Sequence, residues 1–308
     1  MSLDKADIRD AFFDQLYFKG STDNNIVILS ADMDAFSLRR FSKDFPDQYI
    51  NVGVSEQNMI NIASGLALSG KTIFCYSIAS FATLRCYEQI KVNLCSLNLP
   101  VTIIGAGAGF SFGYDGPTHH GHQDLSSMRL LPEMTIIELS SNELAQKAVD
   151  FCINNNGPAY VRLDKGPFPE WKNNDVDFSK GFRILKPLNK INLITNGFMT
   201  RTALKVSNTL NSKGIKCGVI DLFRVKPIPD KFYDEVICKS EKIVSIEESC
   251  RTGGLGTILC ELIAQSEINC QLQVIGAPDK QFIEYGEREW FHQKYKLNKQ
   301  GIIDSIII

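Results

Sequence analysis

The sequence predicts an α/β protein of two domains, each a mostly parallel sheet covered by helices, and three observations carry that expectation. Short apolar runs alternate with helical patterns of ten or more residues along most of the chain. The alternation breaks once, between about residues 164 and 189, where Pro167, Pro169 and Pro187 stand among charges and few periodic apolar positions. With 308 residues, 44% hydrophobic and 22% charged, the chain is long and apolar enough for about two domains with buried cores.

The first unit opens with an amphipathic helix over 4–18, where Ile8, Ala11, Phe12, Gln15 and Leu16 fall at helical spacing. Strands at 26–30 and 49–52 precede a helix at 56–69 and a strand at 72–76. A helix at 84–97, a strand at 101–105, a glycine-rich loop, a helix at 125–130 and a strand at 135–139 follow. A helix at 143–154 and a strand at 159–163 complete a first domain spanning 1–170. Residues 171–188 read as a linker. The second domain, 189–308, alternates strands at 191–195, 216–221, 242–247 and 272–275 with helices at 201–212, 230–238 and 255–264. A closing helix and a short helical end occupy 290–308.

A net charge of -2 gives no general attraction to nucleic acid or to an acidic membrane. Nine cysteines form no C-x-x-C pair, and most lie in apolar runs, where a thiol behaves as a small hydrophobe. That usage points to a reducing, cytoplasmic setting. The first residues lack an apolar signal core and no stretch approaches 18 apolar residues, so a soluble intracellular protein is expected.

Glu56 is the first candidate for chemistry. Asn51-Val52-Gly53-Val54-Ser55-Glu56 leads from an extended segment into a helix whose early turns are small and apolar. Ser55 suits the cap, and Glu56 at the mouth of a buried helix is either a simple first-turn acid or a carboxylate poised to hold a proton partner. Three of the four histidines stand in Asp115-Gly116-Pro117-Thr118-His119-His120-Gly121-His122. Adjacent loop residues rarely aim three rings at one centre, so this spacing is poor for a metal, and no metal ligands are expected. A loop following a strand end suits proton handling or contacts to sugar hydroxyls, with a solvated surface loop as the plain alternative. The glycine groups at 105–109 and 253–256 fit neither a dinucleotide fingerprint nor a P-loop. Phe74, Tyr76, Phe81 and Tyr87 read as core, or as a flat apolar wall for a planar ring.

Four ordered stretches together resemble the C-terminal half of the transketolase family: Phe45-Pro46 with Asn51-Val52-Gly53-Val54-Ser55-Glu56-Gln57-Asn58; Phe81-Ala82-Thr83-Leu84-Arg85-Cys86-Tyr87-Glu88-Gln89-Ile90; Asp115-Gly116-Pro117-Thr118-His119; and Met128-Arg129-Leu130-Leu131-Pro132. Thr195-Asn196-Gly197, the run from Val219 to Pro227 and Gly276-Ala277-Pro278-Asp279 extend the likeness over nearly the whole chain. The resemblance implies a thiamine diphosphate enzyme that transfers a two-carbon ketol unit from a ketose (phosphate) to an aldose. Glu56 matches the glutamate that bonds N1′ of the aminopyrimidine, and Phe81, Ile78 and Arg85 match its surroundings. Asp115 and His119 match residues that face the donor sugar.

The departures are informative. Ile78 stands where the family commonly stacks an aromatic ring, which leaves that task to Phe81. Of three phosphate-contacting positions, Arg9 keeps the helix arginine, Gly107 replaces a histidine, and Lys165 replaces an arginine. A lysine supplies charge without a bidentate fork. Full-length members bind the diphosphate through Mg²⁺ with a preceding domain carrying G-D-G, which does not occur here. The resemblance therefore implies the C-terminal subunit of a split transketolase, completed by an N-terminal subunit that holds Mg²⁺ and the diphosphate, in a heterotetramer. Alternatives are a deoxyxylulose phosphate synthase-like enzyme, the beta subunit of a 2-oxoacid decarboxylase, or a catalytically silent scaffold or regulatory subunit.

Overall fold

The computed structural model describes residues 7–169, 171, 176–266 and 268–306. The expected helix start at 4–6, part of the expected linker and the last two residues lie outside these. Twelve strands among the described residues are β1 (Ile26–Ser30), β2 (Tyr49–Asn51), β3 (Thr72–Ile78), β4 (Val101–Ala106), β5 (Thr135–Glu138), β6 (Ala159–Leu163), β7 (Arg183–Lys186), β8 (Ile191–Thr195), β9 (Cys217–Asp221), β10 (Arg224–Lys226), β11 (Lys242–Cys250) and β12 (Gln271–Ala277). The helices are α1 (Ile8–Gly20), α2 (Phe36–Asp44), α3 (Glu56–Leu68), α4 (Ala79–Thr83), α5 (Tyr87–Gln89), α6 (Asp124–Arg129), α7 (Asn142–Ile153), α8 (Met199–Ser212), α9 (Asp230–Glu235), α10 (Leu255–Ala264), α11 (Arg288–Lys294) and α12 (Lys299–Ser305).

Two sheets organise them. The first has seven strands in the order β10-β5-β6-β4-β3-β1-β2, and the second five in the order β12-β11-β8-β9-β7. Pairing is parallel except at two edges, β10 on β5 and β7 on β9. β1, β4, β5 and β6 are buried along their whole length, as strands with helices on both faces must be. One core layer holds Phe12, Phe13, Leu16 and Phe74 beneath α1, α2 and α7; the other holds Met59, Ile60, Ala63 and Cys86 beneath α3. No helix among the described residues is long and apolar enough to cross a membrane.

Several elements differ from the sequence-based expectation. The helix expected at 84–97 is broken: α4 ends at Thr83, Cys86 leaves the helical region at φ -116°, and a π-helical turn runs from Ile90 to Cys95. Thr83 Oγ1 donates to the Ala79 carbonyl at 2.6 Å and Cys86 Sγ to the Ala82 carbonyl at 3.2 Å. Side-chain bonding back into the preceding turn competes with the regular ladder. α9 stops at Glu235, before a 3-10 turn at Ile237–Lys239. α2, a stretch to which the sequence reading assigns no element, buries Leu38 and Phe41 without a side-chain cap. Within the segment expected as a linker, β7 forms an edge of the second sheet, and β10 crosses from the second half of the chain to extend the first sheet.

Candidate active site

The carboxyl ends of β1, β2, β3, β4 and β6 lie along one edge of the first sheet, where an open α/β sheet presents its ligand crevice. β2 delivers the chain through Gly53, at φ +70°, into α3. Asn51 Oδ1 fixes this turn by accepting from the Gly53 and Asp32 amides at 3.0 and 3.2 Å. Ser55 occupies the cap position but not in the expected way. Its hydroxyl donates back to the Val52 carbonyl at 2.7 Å and makes no cap bond to a first-turn amide.

Glu56 is 2% exposed. Its Oε1 accepts from Ser77 Oγ at 3.2 Å and its Oε2 from Arg85 Nη1 at 2.7 Å. Ser77 sits near the end of β3, so sheet and helix meet at the carboxylate. Arg85 reaches it from the chain beyond α4, with its guanidinium carbon 4.0 Å from the centre of the Phe81 ring. The Phe81 ring meets the His119 imidazole edge-on at 5.0 Å between centroids. His119 Nδ1 hydrogen-bonds Thr118 Oγ1 at 2.8 Å, and Ser80 Oγ donates to the Thr118 carbonyl at 2.6 Å, tying the histidine loop to α4. Asp115 is exposed and its carboxylate has no hydrogen-bond partner among the described residues; its amide donates to the Phe112 carbonyl at 2.9 Å. Ile78, half-buried, occupies the cap position of α4 and makes no side-chain cap bond.

Beyond His119 the arrangement continues through Phe112, whose ring lies 6.3 Å from the imidazole, to Lys165, whose Nζ is 4.9 Å from the Phe112 centroid. Arg9, near the Lys165 end of this row, is engaged within the chain. Its Nε and Nη2 donate to the Asp7 carboxylate at 3.0 and 2.8 Å, and Asp7 also accepts from the Gly166 amide at 3.0 Å.

His120 and His122 face away from this row. Both are buried against Phe110, with Phe282 and Phe291 completing the cluster. Burial holds His122 neutral, pushed down to about 3, and lowers His120 as well. Among the described residues no group of three or more His, Cys, Asp or Glu side chains is placed to hold a metal ion.

A buried ionic base supports the loop. Arg162 donates to Asp124 at 2.7 and 3.1 Å, to Glu138 at 2.6 Å and to the Gly121 carbonyl at 2.5 Å; Tyr160 donates to Asp124 at 2.6 Å. Burial pushes Glu138 up to about 7, while Arg162 outweighs burial at Asp124 and holds it below the usual carboxylate range. Arg288 of α11 spans the two sheets, donating to Asp164, to Glu248 and to the Ala108 carbonyl. The motifs in the sequence do not mark Ser77, Phe112, Asp7 or Arg288.

Comparison with known proteins decides the family. The profile for the transketolase pyrimidine binding domain matches residues 4–170, and that for the transketolase C-terminal domain matches 181–302. The chain belongs to the transketolase family. A subunit of the apulose-4-phosphate transketolase from Actinobacillus succinogenes (strain ATCC 55618) is 30% identical over 291 residues, covering 93% of this chain and 94% of that protein. The 6-deoxy-6-sulfo-D-fructose transketolase subunit SqwH of Clostridium sp. (strain MSTE9) is 31% identical over 300 residues, covering 96% and 92%. A solved split-gene transketolase, described as an inactive beta4 tetramer, superposes with a TM-score of 0.86 at 29% identity, covering 97% of this chain and 96% of that one. In family terms the seven-stranded sheet lies chiefly in the pyrimidine binding domain and the five-stranded sheet in the C-terminal domain.

Proposed function

We propose that the chain is the C-terminal subunit of a thiamine diphosphate-dependent transketolase that moves a two-carbon ketol unit from a ketose to an aldose in the cytoplasm. The observation that carries this reading is Glu56: a carboxylate 2% exposed, held by Ser77 and Arg85 beside the half-buried Phe81 ring. A buried carboxylate that can accept from a protonated ring nitrogen, next to an aromatic face, is what an aminopyrimidine edge requires, so the residues present fit that end of the cofactor. Bound thiamine diphosphate supplies the carbon nucleophile that accepts the ketol unit. Glu56 shares a proton with the ring nitrogen N1′, Phe81 gives an apolar wall that keeps water from that ring, and His119 and Asp115 orient the donor's oxygens.

Two relatives that cover nearly all of this chain carry the word subunit in their names. Val54 and Leu84, apolar residues beside Glu56 and Arg85 in sequence, are 71% and 45% exposed. Both facts support a partner chain that closes the site and brings Mg²⁺ and the diphosphate-binding groups, in a two-plus-two heterotetramer. Calorimetry tests this reading on the chain alone and on the complex captured from its own cells. Mg²⁺-dependent thiamine diphosphate binding confined to the complex supports it, and absence of binding in both samples overturns it. In the active complex, Glu56→Gln lowers turnover by about 100- to 10,000-fold. A complex whose mass is below two copies of each chain rules out the heterotetramer.

A further inference from the structure

Phe112 is placed by a glycine. At Gly107 the backbone has φ +91°, and a Cβ there would stand 2.1 Å from Phe112 Cδ2 and 2.2 Å from Cε2. The ring lies on bare backbone, in space that exists because position 107 has no side chain. Lys165 faces the ring from 4.9 Å and His119 approaches it edge-on, so Phe112 continues the wall begun by Phe81.

The charges around this wall are largely spent. Arg9 is closed in a two-pronged pair with Asp7. Arg288 is shared between Asp164 and Glu248. Lys165 is exposed, and among the described residues it has no carboxylate partner. A phosphate dianion is normally held by several converging donors, of which a bidentate arginine is the strongest. One exposed lysine above a phenyl ring is a weak anion site. It suits instead the apolar C–H face of a sugar, with the lysine reaching one hydroxyl or one carboxylate oxygen.

We propose that Phe112 is a specificity-determining residue, and that the far end of this cleft selects a sugar whose end remote from the reacting carbonyl carries no phosphate. The inference rests on the transketolase reading above, and it concerns the part of the site away from Glu56.

The test uses the assembled complex and ligands that cannot react: a pentitol and the same pentitol phosphorylated at one end, titrated by calorimetry. The expected result is that the phosphate brings no gain in affinity. Phe112→Ala is expected to weaken the unphosphorylated pentitol about tenfold and Phe112→Leu to restore part of that loss. Kinetically, Phe112→Ala raises KM for an unphosphorylated ketose with kcat within about twofold, whereas a merely structural role would lower kcat and stability together. A phosphate that tightens binding tenfold or more, or a Phe112→Ala complex that binds the plain pentitol unchanged, overturns the proposal. Failure of the underlying reading shows separately, as turnover that is insensitive to Glu56→Gln while pentitol binding stays measurable.

Discussion

Arg85 Nη1 donates to Glu56 Oε2 across 2.7 Å, although the arginine side chain is 40% exposed and the glutamate 2%. The pair joins solvent to a carboxylate that would otherwise be buried with Ser77 as its sole side-chain donor among the described residues. Arg85→Ala is expected to destabilise the chain by about 1–3 kcal/mol, the cost of leaving a buried acceptor short of a donor. Ser77→Ala costs about 1 kcal/mol by the same reasoning. Urea unfolding of the purified chain measures both, and a larger loss for Ser77→Ala contradicts the assignment.

Arg288 holds two carboxylates that are otherwise buried, Asp164 and Glu248, which are 2% and 4% exposed. Arg288→Ala is expected to cost about 3–5 kcal/mol because it strands that charge. Glu248 is held far below the usual carboxylate range by Arg288 and His292, whose attraction overcomes its burial. A depressed folded value means this contribution is complete above the unfolded carboxylate pKa and is lost as pH falls below it. Acid unfolding of the Arg288→Ala chain should therefore begin at higher pH than that of the parent.

Glu247 works in the opposite direction. Its oxygens accept from the Leu255 and Gly256 amides, both at 2.8 Å, yet burial pushes it from 4.5 up to about 8, with Glu138 adding to the rise. Between those values the folded chain keeps a proton that the unfolded chain releases, so this group makes stability fall as pH rises. Glu247→Gln should flatten the decline measured by denaturant titration from pH 5 to pH 8. A residual slope from Glu138, which sits at about 7, is expected to remain. An unchanged slope in the variant would show that Glu247 is ionised throughout.

Among the described residues neither ring nitrogen of His122 has a hydrogen-bond partner, and the imidazole centroid lies 4.1 Å from that of Phe110 and 4.8 Å from that of Phe282. A neutral polar ring in such surroundings contributes little beyond its volume. His122→Leu is expected to leave the melting temperature unchanged or raise it, by about 1 kcal/mol of stability. A large drop would reveal a bonding role for the imidazole.

Much of this architecture is legible in the sequence because its longer elements, of five or more residues, carry an apolar pattern. β1, β6, β8 and α10 fall at the residues expected for them. β7 and β10 have four and three residues, too few to form a pattern, and their identity depends on which sheet edge they reach. Glu56, Phe81 and His119, each marked by a sequence motif, stand in one continuous row. Arg9 stands out in the sequence for its charge, but a carboxylate two residues earlier already takes that charge. No motif records that Asp7 turns toward it, because the turn depends on the Gly166 amide, far along the chain. Phe112 escapes notice for a similar reason: its place follows from the backbone twist at Gly107.

β10 has a consequence for how the chain can be divided. Residues 224–226 complete the edge of the sheet that the first half of the chain begins, beside β5, with the Glu138 amide bonded to the Phe223 carbonyl at 2.8 Å. A fragment ending near residue 180 would carry β5 with a bare row of amides and carbonyls, a template for sticking to its own kind. The complementary fragment would expose Phe223 and Val225, which are 0% and 2% exposed in the whole chain. The two family domains are thus mortised together, and neither half is a self-sufficient piece for expression or exchange between relatives.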